Sequence, residues 1–218
     1  MGYEAVIFDL DGTLLDTLTD IADAMNAVLI RFGFPTHTVQ TYRRFLGDGL
    51  EVLVERSLPE DRRTRKEIDR CVTGMRQEYA QRWWKTSRPY DGVPEMLDRL
   101  SADGIMMAIL SNKLEVFTKL MARSLLGSWT FKEVVGLRPD LPRKPDPTGA
   151  LEISRALGVS PERCVFVGDS GIDMMTAVRA GMVPAGVLWG YQERETLAAG
   201  GARLFLGHPL EIAEYLAC

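Results

Sequence analysis

Histidine is scarce in this chain, with only His37 and His208, and cysteine is limited to Cys71, Cys164 and Cys218. Three widely spaced cysteines form neither a CxxC pair nor a disulfide framework, so a reducing cytoplasm is the expected compartment. Two histidines also supply a zinc site or a histidine-based mechanism poorly. Long apolar runs are missing: the longest are about five or six residues, far below the ~20 that a membrane helix needs. No basic start leads into an apolar stretch with small residues after it, so no secretory signal is expected. A myristoylation signal would need Ser or Thr at position 6, which is Val6. An excess of positive charge is lacking as well. With 26 Lys+Arg against 30 Asp+Glu, the formal net charge of −4 supplies no drive toward nucleic acid. What is present, 46% hydrophobic and 26% charged residues over 218 positions, suits one large or two modest globular domains. Any chemistry is expected to run on carboxylates.

Ala5-Val6-Ile7-Phe8 is a short continuous apolar run, the pattern of a strand buried on both faces. From Asp16 the period changes. Leu18, Ile21, Ala22, Met25, Val28, Leu29 and Phe32 recur at helical spacing, and Gly33 with Pro35 ends that helix. Helical periods continue over Val39–Leu46, Leu50–Leu58 and Ile68–Tyr79, with no strand-like run before about Arg88. This is a helical insert of ~70 residues, where an ordinary βα connection takes 2–6. Asp16 is expected to cap the first insert helix, and the charged run Asp61–Arg70 to be a solvated helix face.

Beyond Pro89 helices and strands alternate. Helices are expected at Val93–Leu100, Leu114–Leu125, Pro147–Leu157, Met174–Ala180 and Glu211–Ala217, and strands at Ile105–Leu110, Cys164–Val167, Val183–Leu188 and Arg203–Leu206. Such alternation predicts an α/β fold, a parallel sheet with helices on both faces. The expected division is a core domain from 1–15 with 89–218, and a helical domain from 16–88. Trp83, Trp84, Trp129 and Trp189 read as packing residues.

Three of these strands end in polar residues. Ala5–Phe8 runs into Asp9 and Asp11, Ile105–Leu110 into Ser111 and Asn112, and Cys164–Val167 into Gly168 and Asp169. Asp, Ser and Asn are common turn and cap residues, which explains any one of these ends. Ligands of open parallel sheets bind outside the carboxyl ends of the strands, so three such ends together point to one site. Asp9 and Asp11 repel unless a cation lies near or one stays protonated. Gly12 lets the backbone turn sharply beside a ligand. With Asp169 the donor set is all oxygen, which suits Mg²⁺. Such a cation with carboxylates, a hydroxyl and Lys144 is what phosphoryl transfer needs. Gly168-Asp169-Ser170-Gly171 also matches the tetrapeptide around a serine-protease nucleophile, but no histidine base is offered in this context.

Asp9-Leu10-Asp11-Gly12-Thr13 resembles the DxDGT signature of the haloacid dehalogenase superfamily. Four fixed residues arise by chance in roughly 0.2% of chains this long. Ser111-Asn112-Lys113 resembles the family's second motif, Lys144-Pro145 its third, and Gly168-Asp169-Ser170-Gly171-Ile172-Asp173 its fourth, all in order. The resemblance spans essentially the whole chain. It implies a Rossmann-like core with a helical cap inserted after the first strand, and a Mg²⁺-dependent enzyme. Asp9 is then the nucleophile that forms an aspartyl-phosphate, and Asp11 the acid and later the base. Asp9, the Asp11 carbonyl and Asp169 are then the metal ligands. Asp173 either reaches a metal-bound water or orients Lys144, or is only a first-turn acid favourable to a helix dipole. Ser111, Asn112 and backbone N–H groups near Gly12 and Thr13 hold phosphate oxygens, and Lys144 neutralises charge. The other reading of Lys144, a surface lysine beside an Asp146 cap and Pro147, fits the motif spacing poorly.

The insert loop Arg43-Arg44-Phe45-Leu46-Gly47-Asp48-Gly49-Leu50 resembles the specificity loop of the phosphoglycolate phosphatase branch, as does Arg88-Pro89-Tyr90-Asp91-Gly92-Val93. An arginine such as Arg43 can pair with a substrate carboxylate in bidentate fashion, with Gly47 and Asp48 beside it. The two glycines can equally be a plain interhelical turn. A small phosphorylated metabolite is thus the expected partner, phosphoglycolate first, with neither nucleic acid nor membrane, in a monomer or homodimer. The rivals are a β-phosphoglucomutase-like mutase, a pyrophosphatase on the same scaffold, and a receiver-type phospho-accepting domain. Thr13 argues weakly against the mutase, and Asp11, placed to activate water, favours turnover over storage.

Overall fold

In the computed structural model, which describes residues 2–216, the chain divides into two compact units. One comprises Met1–Leu15 with Pro89–Cys218, the other Asp16–Arg88. Strand β1 (Ala5–Phe8) is fully buried, and its Ile7 is flanked in register by Ala108 and Phe166. Strand β2 (Leu15–Asp16) leads to the helical unit: α1 (Leu18–Arg31), α2 (Val39–Tyr42), α3 (Leu50–Ser57) and α4 (Arg65–Ala80). Strand β3 (Arg88–Pro89) pairs with β2 where the chain returns. Then follow α5 (Val93–Ala102), β4 (Met106–Leu114), α6 (Glu115–Leu125), β5 (Phe131–Leu137), α7 (Thr148–Leu157), β6 (Cys164–Gly168), α8 (Gly171–Ala180), β7 (Val183–Val187), α9 (Arg194–Gly200), β8 (Leu204–Leu206) and α10 (Leu210–Leu216). The large sheet has the order β5-β4-β1-β6-β7-β8, with every pairing parallel.

Register explains why the strand ends converge. Phe8 is level with Ile109 on one side and Val167 on the other, and the Asp9 N–H continues the ladder onto the Val167 carbonyl at 2.9 Å. The three central strands therefore deliver their next residues to one edge. On one face Ile7, Ala108, Leu110 and Phe166 form a continuous core with Ile153 and Ala177 of α7 and α8. Each large apolar side chain buried there stabilises the fold by about 1.5–3 kcal/mol, so the edge is rigidly founded.

The helical unit is held by polar bonds as well. Asn26 of α1 donates to the His37 carbonyl at 2.9 Å and accepts from the His37 N–H and the Tyr42 hydroxyl at 3.1 and 2.7 Å. His37 Nε2 bonds the Ser57 carbonyl, so this histidine is structural. Asp20, near the start of α1, accepts from the backbone and hydroxyl of both Thr86 and Ser87 at 2.8–3.1 Å. These bonds outweigh the cost of burial and hold its carboxyl below the usual aspartate range.

Several expectations are corrected. Strand β5 and helix α9 are elements that the sequence pattern does not signal. Edge strand β5 carries Lys132 and Glu133, which break its apolar run and are typical of protected edges, while α9 buries only Leu197. Strand β4 continues through Ser111-Asn112-Lys113 to Leu114, with an irregular register after Leu110. Helix α8 starts at Gly171, because Ser170 and Asp173 form a reciprocal capping box. Helix α2 stops at Tyr42, short of the expected Leu46. The Asp61–Arg70 run is a 3₁₀ turn over Glu60–Arg62 followed by the start of α4. Thr17 is the N-cap of α1, and Asp16 accepts from the Leu18 N–H at 3.4 Å. Trp84 is 52% exposed, unlike buried Trp83. Ala217 and Cys218 lie outside the described residues. Among the described residues, no helix is long and apolar enough to cross a membrane.

Candidate active site

The loop after β1 is wound tightly. Leu14 and Leu15 donate to the Leu10 carbonyl at 3.0 and 2.9 Å, and Gly12 donates to the Leu15 carbonyl at 2.9 Å. Gly12 has φ +87°, and a Cβ there would overlap the Asp169 carboxylate and the Tyr191 ring. Only glycine satisfies both the backbone and the space. Thr13 donates its hydroxyl to Asp169 Oδ1 at 3.3 Å, and its carbonyl accepts from Trp189 Nε1 at 3.0 Å.

Lys144 is buried at the base of the site, 4% exposed. Its ammonium donates to Asp9 Oδ1 at 2.8 Å, Asp173 Oδ1 at 2.6 Å and the Leu110 carbonyl at 3.0 Å. Its three donors are thereby used. The backbone of Lys144, which precedes a cis peptide bond to Pro145, is held by Asn112. The Asn112 amide accepts from the Lys144 N–H at 2.9 Å and donates to its carbonyl at 3.1 Å. Asp173 Oδ2 accepts from the Ser170 N–H at 3.1 Å and its hydroxyl at 2.5 Å. One carboxylate thus caps α8 and orients Lys144 together.

Asp9, Asp169 and Asp173 are all buried, and one oxygen of each lies within 4.8 Å of the others. Burial pushes Asp9 up to about 6; Lys144 pulls it down, while Asp173 and Asp11 oppose that pull. Burial, then Asp9 and Asp173, raises Asp169 well above the ordinary aspartate range, against the Tyr191 N–H and Lys144. Burial also opposes the charge on Lys144, but Asp173 and Asp9 outweigh it and raise its pKa. Three acids against one cation leave a deficit of positive charge. An all-oxygen set of this kind fits a hard divalent cation, which would relieve that deficit.

Asp11 points elsewhere. Lys113 Nζ lies 3.0 and 2.9 Å from its two carboxylate oxygens, and the Lys113 N–H donates to Ser111 Oγ at 3.3 Å. The structure therefore brings Asp9, Asp11, Gly12, Thr13, Ser111, Asn112, Lys144, Asp169 and Asp173 to one sheet edge. Arg43, Gly47 and Asp48 belong to the helical unit, where Asp48 pairs with Arg56 at 2.6 Å. Gly47 has φ +111°, as a turn requires.

In the sequence Lys113 stands only as part of Ser111-Asn112-Lys113, without a role of its own, and the segment after β7 has none. There the Tyr191 N–H donates to Asp169 Oδ2 at 2.8 Å, and Gln192 accepts from the Gly171 N–H at 2.9 Å. A Cβ at Gly190 would run into Asp169 and the Gly12 carbonyl. The available signal was the position of this segment just past the Val183–Val187 strand, a fourth strand end that reaches the same edge.

Comparison with known proteins is consistent across this frame. The sequence pattern described as "Haloacid dehalogenase-like hydrolase" matches residues 6–187. The phosphoglycolate phosphatase of Aquifex aeolicus is 33% identical over 186 residues, 85% of each chain. That of Mesorhizobium japonicum is 34% identical over 196 residues, 89% of this chain and 86% of its own. Among solved structures, a candidate phosphoglycolate phosphatase from Lactobacillus delbrueckii subsp. bulgaricus superposes with a TM-score of 0.92. It is 29% identical and covers 99% of both chains.

Proposed function

Given that this chain belongs to the haloacid dehalogenase-like hydrolase family and is a phosphatase of phosphomonoesters, we propose that it hydrolyses phosphoglycolate with Mg²⁺, through an aspartyl-phosphate on Asp9, in the cytoplasm. The observation that carries the mechanism is the separation of two aspartates. Asp9 lies in the acid cluster on Lys144, whereas Asp11 is held outside that cluster on Lys113. Neighbouring carboxylates with different surroundings can take different roles.

In the first step a carboxylate oxygen of Asp9 bonds to phosphorus, the P–O ester bond breaks, and Asp11 gives its proton to the leaving oxygen. In the second, Asp11 takes a proton from water, the water oxygen bonds to phosphorus, and Asp9 is released with inorganic phosphate. Splitting the transfer replaces one difficult displacement with two easier ones. Lys144 keeps Asp9 oriented and offsets charge gathering on the phosphoryl oxygens. Ser111 and backbone N–H groups of the loop near Gly12 bind those oxygens, while the N–H groups of Gly12 and Thr13 themselves close the loop onto Leu15 and Leu10, and Asn112 contributes chiefly by holding Lys144. Mg²⁺ would be held by Asp9, the Asp11 carbonyl and Asp169, with Asp173 behind them. When bound it would supply Lewis-acid charge neutralisation at the phosphoryl group. In the same reading the helical unit is the cap, and Arg43, with Gly47 and Asp48, contributes to substrate choice. The substrate itself rests on the phosphoglycolate phosphatases to which the chain is similar.

Phosphate release is measured across phosphoglycolate, pyrophosphate, hexose phosphates, nucleotides and an aryl phosphate, with EDTA and Asp9→Asn controls. Preference for phosphoglycolate, lost in both controls, is the expected result. Turnover of phosphoglycolate no better than of the aryl phosphate refutes the substrate and leaves the mechanism. Product analysis with a hexose 1-phosphate and its bisphosphate separates hydrolysis from mutase transfer.

A further inference from the structure

Lys113 does no more in the reaction outlined above than hold Asp11, yet it stands inside the site. It lies near the end of β4, two residues past Ser111, and its side chain is 9% exposed. Its ammonium faces both oxygens of Asp11 at 2.9 and 3.0 Å. Withdrawing an ammonium from water is costly, so a lysine kept here needs more than the small gain of a surface ion pair. Lys113 and Asp11 belong to the same compact unit as Asp9, so their placement relative to the nucleophile is set by the sheet.

We propose that Lys113 is a specificity-determining residue that binds the carboxylate of an acidic phosphomonoester, an inference that rests on the phosphatase reading above and names what distinguishes its substrate. The argument is one of reach. For proton transfer, Asp11 must approach the leaving oxygen to about 2.6–3.2 Å. Lys113 is one further hydrogen bond away, so its ammonium lies within roughly 6 Å of that oxygen. In phosphoglycolate a single methylene separates the ester oxygen from the carboxyl carbon. A carboxylate so close to the leaving oxygen can therefore reach Lys113 when the substrate is turned toward Asp11. The ammonium faces both oxygens of Asp11 and can turn part of that contact over to this second anion. A phosphomonoester with an uncharged alkyl group offers nothing there, and Lys113 stays on Asp11. The cation thus rewards an anion on the leaving group, as selectivity by a buried polar group requires.

The test compares kcat/KM for 2-phosphoglycolate and for ethyl phosphate, which lacks the carboxylate, in wild type, Lys113→Met and Lys113→Arg at saturating Mg²⁺. Thermal melts check the fold, and Lys113→Gln replaces the Met variant if that one fails to fold. The expected result is a loss for phosphoglycolate about ten- to a hundredfold larger than for ethyl phosphate, mainly in KM. Lys113→Arg should restore most of the preference. Equal losses on both substrates overturn the assignment and leave Lys113 acting through Asp11 alone, with the acid-phosphate reading intact. No change in the preference ratio also overturns it and assigns the carboxylate to other residues. A wild-type enzyme with no preference between the two compounds refutes the substrate itself, and the role of Lys113 with it.

Discussion

Asn112 and Lys144 exchange two hydrogen bonds, with the side-chain amide of one standing in for a strand partner of the other's backbone. The amide oxygen accepts from the Lys144 N–H at 2.9 Å and the amide nitrogen donates to the Lys144 carbonyl at 3.1 Å. The aim of the Lys144 ammonium at Asp9 and Asp173 therefore depends on a side chain from strand β4.

Asn112→Ala leaves the buried N–H and carbonyl of Lys144 without these partners. Stability should fall by about 1–3 kcal/mol, and kcat by roughly ten- to a hundredfold as Lys144 loosens. Urea denaturation and steady-state rates check the two effects separately. Unchanged kcat in a folded variant would show that Lys144 needs no such support.

Gly190→Ala forces a methyl group against Asp169 and the Gly12 carbonyl. Asp169 must move, and the Tyr191 N–H that fixes its Oδ2 moves with it. Mg²⁺ affinity, read by calorimetry without substrate, should weaken by about tenfold or more. The far-UV spectrum should stay that of the wild type.

Asp20 gives a pH signature to the helical unit. Its folded pKa is depressed, so the stability it contributes is present above its unfolded value of about 3.9 and is lost as pH falls through the folded value. Asp20→Asn should cost about 1.5–3 kcal/mol near neutral pH. The gap from wild type should close in urea melts below pH 4. A gap that stayed constant down to pH 2 would count against ionised Asp20 as the source.

Asp9 behaves in the opposite sense. With its folded pKa pushed up to about 6, the metal-free protein loses this group's contribution as pH rises from about 4 through 6. In EDTA the wild type should therefore become less stable over that window, and Asp9→Asn should change less. Added Mg²⁺ should raise the melting temperature more at pH 7 than at pH 5, since binding requires the ionised carboxylate. Equal shifts at the two values would remove the link.

The parts of the fold that were legible in the sequence share one property, a strong and uninterrupted period. Ala5–Phe8 and Cys164–Val167 are buried on both faces, so their apolar runs are continuous, and the acids that follow them mark their ends. Strand β5 was illegible because a sheet edge tolerates Lys132 and Glu133. Helix α9 was illegible because one buried leucine makes no stripe. In the site, residues with obvious chemistry stood out in linear motifs. The supporting contacts did not: Gly190 is fixed by the space that Asp169 occupies, and Lys113 by the direction of Asp11. Both depend on register between distant strands, which no local pattern encodes.

Lys144 meets Asp9 across 135 positions of the chain. During synthesis the nucleophile thus emerges early, yet it has no ammonium beside it and no Asp173 behind that until most of the chain has been made. Parallel strands must pair over long separations before these groups meet, which is the slow class of folding event. A nascent or truncated chain carries the reactive aspartate without its chemistry. Recovery of phosphatase activity after dilution from denaturant is accordingly a clock for the pairing of β1, β4 and β6, and it should lag behind the return of helical signal.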